Sequence, residues 1–355
     1  MTLHTVFLTD QLDSKLIRDV YDTLMFSVTP AYQNLRRYIN IRRKLNGRIT
    51  YDSGGYHFLI GRLKQRPNPY RTIEIYKRLG FTDNDFLIQL DLPPSPHFDP
   101  EKRRELIEKS AEFYHIMSQE LNVLGVVHGW TMSELKYSLR LLECDKQIGV
   151  GTYAATSVIA SHAAQAEMVL LRVSRKTIFE RLVNVLQLLR EYDVFMLGSS
   201  NPNMVHIVFL LGSRYTDGGA WRIAASHGVI YVPGDGRYSI GKKNISKRLK
   251  NPNVLREWYL ESPFRDVPFT QFYNMLIHDF KARALWNAFA LKKEEEIANQ
   301  FSSDPDRYYR YLLKRFKDNR FWRNVLKFVW ARYCQKYVQS DLEIFLRVKD
   351  TGGML

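Results

Sequence analysis

Three aspartates and one histidine each follow a short apolar segment, with glycine or proline close behind. Asp52 precedes Ser-Gly-Gly-Tyr, Asp91 precedes Leu-Pro-Pro, His128 precedes Gly-Trp, and Asp217 precedes Gly-Gly. A carboxylate in such a position can exchange a proton with a ligand. Glycine lets the backbone approach a flat ligand closely, and a ring such as that of Tyr56 offers a face for stacking. These residues are our candidates for chemistry on a planar substrate.

Short apolar runs with β-forming residues alternate with helical periodicity along the first 240 residues. The runs lie at 24–28, 48–51, 86–90, 123–127, 147–150, 193–197, 214–216 and 229–232. Eight strands that alternate with helices predict an α/β fold, a (β/α)8 TIM barrel. The rival fold is a doubly wound open sheet, but no glycine-rich dinucleotide turn follows the first predicted strand.

Beyond residue 240 the pattern changes to a basic, loop-like run and then to helical segments. Residues 241–355 hold 23 Lys and Arg against 13 Asp and Glu, within a chain whose net charge is +15. An excess of this size favours polyanionic partners, most often nucleic acid. We expect a barrel catalytic domain at 1–240 and a basic helical extension at 241–355 that contacts nucleic acid and packs on the barrel.

Cysteine content and hydropathy favour a cytoplasmic protein without a membrane partner. Cys144 and Cys334 form neither a disulfide framework nor a metal-binding Cys-x-x-Cys motif. The N-terminus has no charged-then-apolar signal, and no apolar run approaches the roughly 18 residues of a membrane span.

A barrel enzyme builds its site at the carboxyl ends of its strands. Asp52, Asp91, His128 and Asp217 all fall at predicted strand ends, and so do the segments 149–151 and 197–200. Each of them alone has an ordinary explanation as a turn residue or a buried core side chain. Their joint position predicts a single site on one face of the barrel.

Five segments in this order resemble the queuine/archaeosine tRNA-guanine transglycosylase superfamily, whose members exchange guanine for a 7-deazaguanine base. They are Asp-Ser-Gly-Gly-Tyr at 52–56, Leu-Asp-Leu-Pro at 90–93, Gly-Val-Val-His-Gly at 125–129, Ile-Gly-Val-Gly at 148–151 and Met-Leu-Gly-Ser-Ser-Asn-Pro at 196–202. The resemblance covers roughly residues 24–240. His128 stands where the family usually has glutamine.

The resemblance implies a role for each of these residues. Asp217 would be the nucleophile that forms a covalent sugar ester, and Asp52 the general acid and base. Asp91 would accept hydrogen bonds from the guanine N1–H and exocyclic amino group. The full set expected to bind the base is Asp91, Tyr56, His57, His128, Gly129, Gly149, Gly151 and Leu197. The base must leave the helical stack to reach them.

The chain departs from the tRNA-acting members in two respects. It lacks their zinc-binding cysteine cluster, so we expect no cofactor and no structural zinc, and its tail is helical in pattern. It looks more like the DNA-guanine transglycosylases of bacterial and phage DNA-modification systems. That likeness implies DNA and 7-cyano-7-deazaguanine (preQ0) as partners, with other proteins of such a system, in the cytoplasm of a bacterium or a phage-infected host.

Basic residues supply candidates for contact with the nucleic-acid backbone. They are Arg222, Arg237, Lys242, Lys243, Lys247 and Arg248. The cations of the tail at 307–336 could also neutralise phosphates. The aromatic residues between them could pack on the barrel or stack on unpaired bases.

Three alternatives remain open from the sequence. The first is the same chemistry on tRNA. The second is a noncatalytic nucleic-acid-binding subunit, against which the presence of both Asp52 and Asp217 argues. The third is a metal-dependent barrel nuclease, which would need clustered ligands rather than side chains spread singly over the strand ends.

Overall fold

The computed structural model describes most of the chain. The described residues are 4–9, 20–27, 35–36, 38–40, 42–44, 47–55, 57, 67–96, 98–144, 146–151, 174–240 and 247–334. Tyr56, Lys242 and Lys243 among the candidates lie outside them. No helix of the described part is long and apolar enough to span a membrane.

The fold is a nearly closed barrel, the fold class that the sequence predicted. Among the described residues it has nine parallel strands rather than eight, since the predicted strand at 123–127 is divided in two. They are β1 Thr5–Thr9, β2 Leu24–Ser27, β3 Ile49–Asp52, β4 Phe86–Ile88, β5 Val123–Leu124, β6 Val126–Val127, β7 Gln147–Val150, β8 Asp193–Met196 and β9 Ser213–Gly218. The pairing order is β5-β4-β3-β2-β1-β9-β8-β7-β6. Because only Gly125 separates β5 from β6, the two ends of this order meet.

Aromatic side chains fill the inside of the barrel. Phe7, Phe86, Phe195 and Tyr215 are buried together with Met25, Ile88 and Val126. The rings of Phe7 and Phe195 stack with centroids 5.3 Å apart, and Phe86 meets Tyr215 edge to face at 4.9 Å. These residues alternate along the strands with those that face the outer helices. The interior is a packed core beneath the site.

Two of the strand predictions need correction. The first barrel strand is Thr5–Thr9, which the sequence analysis missed; it pairs with both β2 and β9. Val229–Val232, predicted as the eighth barrel strand, instead pairs antiparallel with Gly236–Ser239. We call these two strands β10 and β11. The Pro-Gly-Asp turn between them, with Gly234 at φ +75°, makes them a β-hairpin, and β10 is not part of the barrel sheet.

Five of the six barrel helices given next begin at a side-chain cap, and the last of them is the exception. They are α1 Pro69–Leu79, α2 Pro100–Ser118, α3 Met132–Leu142, α4 Arg175–Leu188, α5 Pro202–Leu210 and α6 Ala220–Ser226. Asp99 and Asn201 cap α2 and α5, and Thr131 with Glu134 forms a capping box on α3.

The C-terminal part is helical. A short 3-10 helix at Pro252–Leu255 leads into α7 Arg256–Tyr259, α8 Phe269–His278, α9 Phe280–Asn299, α10 Pro305–Arg315 and α11 Arg320–Tyr333. Glu295 of α9 accepts hydrogen bonds from the N–H of Val6 at 2.7 Å and from the hydroxyl of Tyr21 at 3.1 Å. Asn299 exchanges two hydrogen bonds with the backbone of His4. One end of α9 therefore holds the first strand of the barrel.

A buried ionic network joins α10 to the barrel. Glu294 receives two hydrogen bonds of 2.7 Å from Arg315 and lies 2.8 Å from Nε2 of His206 on α5. The hydroxyl of Tyr308 contacts Nδ1 of the same histidine at 2.5 Å. All four side chains are buried or nearly so, and each charge has a partner, which a buried charge requires.

Candidate active site

Asp52 and Asp217 lie at the same edge of the barrel, at the carboxyl ends of β3 and β9. Parallel pairing aligns Ser27 with Asp52 and Phe7 with Asp217, so two strands separate the carboxylates. They are close enough for the charge of Asp52 to raise the pKa of Asp217. The structure thus brings together the two acids that the sequence predicted as partners.

Asp217 is almost fully buried, with 5% of its surface exposed. Burial, together with the charge of Asp52, raises its pKa from 3.8 to about 7, against a hydrogen bond that favours the anion. That bond comes from the N–H of Gly198, 2.9 Å from Oδ1. Gly198 has φ +80° and so turns its N–H toward the carboxylate in a backbone conformation that suits glycine.

Asp52 is half-buried and also has a raised pKa. Burial is the main cause, the charge of Asp91 adds to it, and the pKa reaches about 6. Hydrogen bonds from the N–H of Gly54 and the hydroxyl of Ser27 act in the opposite direction. Between pH 6 and 7 the Asp52–Asp217 pair therefore holds one proton, and the higher pKa of Asp217 places it mainly on that residue.

Gly54 and Gly55 are each required to be glycine for a different structural reason. Gly54 has φ +83°, which lets its N–H turn back to Asp52. Gly55 packs on Asp91 so closely that a Cβ there would overlap the carboxylate. Its small size is thus required by Asp91 itself, where the sequence analysis had assigned it to a ligand. His57, half-buried, donates its backbone N–H to Gly54 at 2.9 Å.

Asp91 and His128 form a buried pair. Nε2 of His128 lies 3.0 Å from Oδ2 of Asp91, and the two residues are 0% and 6% exposed. The backbone N–H of His128 donates to the hydroxyl of Ser138 at 3.0 Å. The imidazole thus orients the carboxylate of Asp91, which belongs to the same predicted base-binding set.

Gly149 and Gly151 lie in and just after β7 with their N–H groups used in strand pairing. Gly149 donates to the carbonyl of Gly125 at 2.7 Å, and Gly151 to that of Val127 at 3.3 Å. A Cβ on Gly151 would lie 2.5 Å from Cε1 of His128. Gly151 thus gives room to the imidazole, and the backbone N–H groups of both candidate base-binding glycines are already bonded within the protein.

Gly129 lies just after β6 and Leu197 just after β8, the two strands that pair with β7. Gly129 has φ +144°, and a Cβ on it would press against Glu134 at the start of α3. Leu197 is half-buried on top of the aromatic core of the barrel. Its position above that core is compatible with the predicted contact to the face of a ring.

Arg181 is a site residue that the sequence analysis missed. It lies on α4 with 2% of its surface exposed. Its Nε donates to the carbonyl of Gly129 at 2.5 Å, and an Nη donates to that of Gly151 at 3.2 Å. The guanidinium also lies 4.9 Å from the ring of Trp130. A signal was present in the sequence, because an arginine stands on the apolar face that its helix presents to the core.

Two serine hydroxyls beside the acids are buried without a hydrogen-bond partner among the described residues. They belong to Ser53 and Ser200, which are 3% and 1% exposed. Ser200 packs on Gly218, directly after Asp217. Because a buried hydroxyl is costly to leave unbonded, these groups are additional candidates for contact with a polar substrate.

The predicted backbone-binding cations lie in different surroundings. Arg222 is half-buried over the ring of Phe280 at 5.9 Å, and Arg237 is half-buried in the β-hairpin opposite Tyr231. Lys247 and Arg248 are exposed. Of the four predicted cations that the structure describes, Lys247 and Arg248 are thus the more accessible to a phosphate.

The described aromatic residues of the tail pack on one another and on the barrel, as the first of the two interpretations predicted. Tyr308 and Trp322 are buried. Tyr309 and Trp330 stack with ring centroids 5.1 Å apart. Their faces are therefore engaged within the protein.

Comparisons with known proteins add no relative. A scan against protein-family models finds no match for the chain, and a search of curated proteins finds none either. Within the described residues, no three His, Cys, Asp or Glu side chains are grouped as a metal site would need.

Proposed function

We propose that the protein is a pentosyltransferase that exchanges guanine in DNA for a 7-deazaguanine base such as preQ0. The observation that carries the proposal is the pair of acids at one edge of the barrel, buried Asp217 and half-buried Asp52, both with raised pKa values. Raised pKa values at a strand-end site favour acid–base and covalent chemistry there.

The first half of the reaction removes guanine. A carboxylate oxygen of Asp217 attacks C1′ of the nucleotide, and the electron pair of the C1′–N9 bond leaves with the base. Asp52 supplies a proton to the departing guanine. The sugar is then held as an ester on Asp217, which splits a difficult displacement into two easier ones.

The second half reverses these steps with a different base. The incoming 7-deazaguanine gives its N9 proton to Asp52, and its N9 attacks C1′ and displaces Asp217. Both acids return to their starting state, so no net proton is consumed. The reaction starts from the pair with one proton, carried by Asp52 while Asp217 is ionised. Because the pKa of Asp217 is the higher of the two, this is the minor of the two arrangements of that proton near neutral pH.

Asp91 supports selection of guanine over adenine. A carboxylate accepts hydrogen bonds from N1–H and the exocyclic amino group of guanine, a pattern that adenine cannot provide. His128 and Gly55 hold this carboxylate from two sides. Since it is buried and oriented before any ligand arrives, it can discriminate at little entropic cost.

A base-exchange assay tests the proposal. Radiolabelled preQ0 is incubated with the protein and either duplex DNA or tRNA; we expect label in DNA. The Asp217→Asn variant should lose incorporation and also the covalent protein–DNA adduct seen on denaturing gels. The matched control is Asp266→Asn, an exposed aspartate with a side chain 91% accessible. Label in tRNA alone would refute the choice of DNA, and full activity of Asp217→Asn would refute the nucleophile.

A further inference from the structure

The hairpin of α10 and α11 carries an unusual concentration of positive charge. Residues 305–333 contain nine Lys and Arg against two Asp. Seven of the nine are exposed: Arg307, Arg310, Lys314, Lys317, Arg320, Arg323 and Lys327. We call these seven the basic face. The excess over 29 residues is about half of the net charge of the whole chain.

The basic face is not neutralised by the part of the protein that the structure describes. The other two cations of the hairpin, Arg315 and Arg332, pair with Glu294 and Glu180 from other helices. None of the seven forms an ion pair with any described residue. Like charges this close repel one another and destabilise the fold, so an anionic partner would relieve a real cost.

A barrel helix of the same chain shows that this pattern is not general. Helix α2 has four Lys and Arg against four Glu. Three of its cations pair with carboxylates: Lys102 with Glu105, Arg103 with Glu134, and Arg104 with Glu108. On α2, therefore, carboxylates of the same chain match the positive charges.

The basic face starts at the rim on which the candidate active site lies. Trp322, between Arg320 and Arg323, contacts Phe179 on α4 with ring centroids 6.3 Å apart. Phe179 is two residues from Arg181, which bonds the strand-end carbonyls of Gly129 and Gly151. Arg320, Arg323 and Lys327 follow at spacings of three and four, which places them along one side of the helix.

We propose that the basic face binds the phosphate backbone of duplex DNA beside the nucleotide that is extruded into the site. The choice of DNA rests on the proposed function. The aromatic rings of the hairpin are packed inward, so contact is through charge and carries no base preference.

Salt dependence of binding tests the proposal, with a fluorescent DNA duplex and no 7-deazaguanine base present. Three cations are changed together, Arg320→Gln, Arg323→Gln and Lys327→Gln. The slope of log affinity against log salt, measured from about 50 to 200 mM, should become shallower by ~2 to 3. A variant with Arg320→Lys and Arg323→Lys keeps the charge and should keep the slope. Far-UV circular dichroism checks that the hairpin has folded.

The matched control removes three cations from α2, Lys102, Arg104 and Lys109, and should leave the slope unchanged. An unchanged slope in the α11 variant, an equal loss in both variants, or binding of tRNA but not duplex DNA would overturn the proposal. Since binding needs no turnover, a wild-type protein that binds DNA through this face without exchanging bases would refute the proposed function alone.

Discussion

Asp217 should make the protein less stable as pH rises, and replacing it with a residue that does not ionise should remove this pH dependence. Its pKa in the folded protein is about 7, raised by burial from 3.8. A carboxyl group with a raised pKa favours the folded state while protonated, and this advantage is lost as pH rises from about 4 to about 7. Integration between these values gives a loss of about 3 kcal/mol from pH 5 to pH 8. Asparagine at 217 still accepts the Gly198 N–H without any charge.

The assay is urea unfolding of wild type and Asp217→Asn at pH 5 and pH 8, at one ionic strength. The difference in free energy of unfolding between the two proteins should shift by about 3 kcal/mol in favour of the variant at the higher pH. Taking this difference cancels titrating groups that do not interact with Asp217, such as His4, whose pKa burial lowers to about 4. Exposed Asp266→Asn should show no such shift. A difference independent of pH would refute the buried, proton-sharing carboxyl.

Three further outcomes follow from the site. The value of kcat/KM for base exchange should follow a bell-shaped pH profile with its maximum between pH 6 and 7, since the Asp52–Asp217 pair needs one proton. A kcat/KM that does not change between pH 5 and pH 9 would contradict this. Gly55→Ala should cost about 1–3 kcal/mol of stability and raise KM for the base, because its methyl displaces Asp91. Gly80→Ala, at a left-handed helix cap with φ +71° and no atoms close to the added methyl, is the control for KM alone; equal KM values in both variants would refute the contact. Arg181→Met should raise KM for the base far more than it lowers kcat. It should also lower the free energy of unfolding by about 2–5 kcal/mol, because two buried carbonyls lose their hydrogen-bond donor. Recovery of KM and stability in Arg181→Lys would argue that the charge matters more than the geometry of the guanidinium.

Strand ends were the part of the site that the sequence could predict. Asp52 and Asp217 follow apolar runs, and parallel strands bring such positions to one edge whatever their distance along the chain. The β-hairpin was misread because four apolar residues look alike in a barrel strand and in a hairpin. The better signal was the Pro-Gly-Asp-Gly turn that follows.

Contacts between side chains and backbone were beyond the sequence. The role of Gly55 depends on how far Asp91 projects from the next strand, and that of His128 on the carboxylate opposite it. Arg181 serves two loops that lie 52 and 30 residues before it. Such pairings are set by the curvature of the barrel, which no local pattern encodes.

The hydrogen bonds between α9 and the first barrel strand have a consequence for folding during synthesis. Val6 and His4 leave the ribosome about 290 residues before their partners Glu295 and Asn299. Until then the leading strand lacks two of its anchors, and contacts of such sequence separation are slow to form. A nascent barrel that waits this long exposes strand edges to other chains. Folding in the cell should therefore depend on chaperones more than the final stability suggests, and a fragment ending at residue 240 should aggregate.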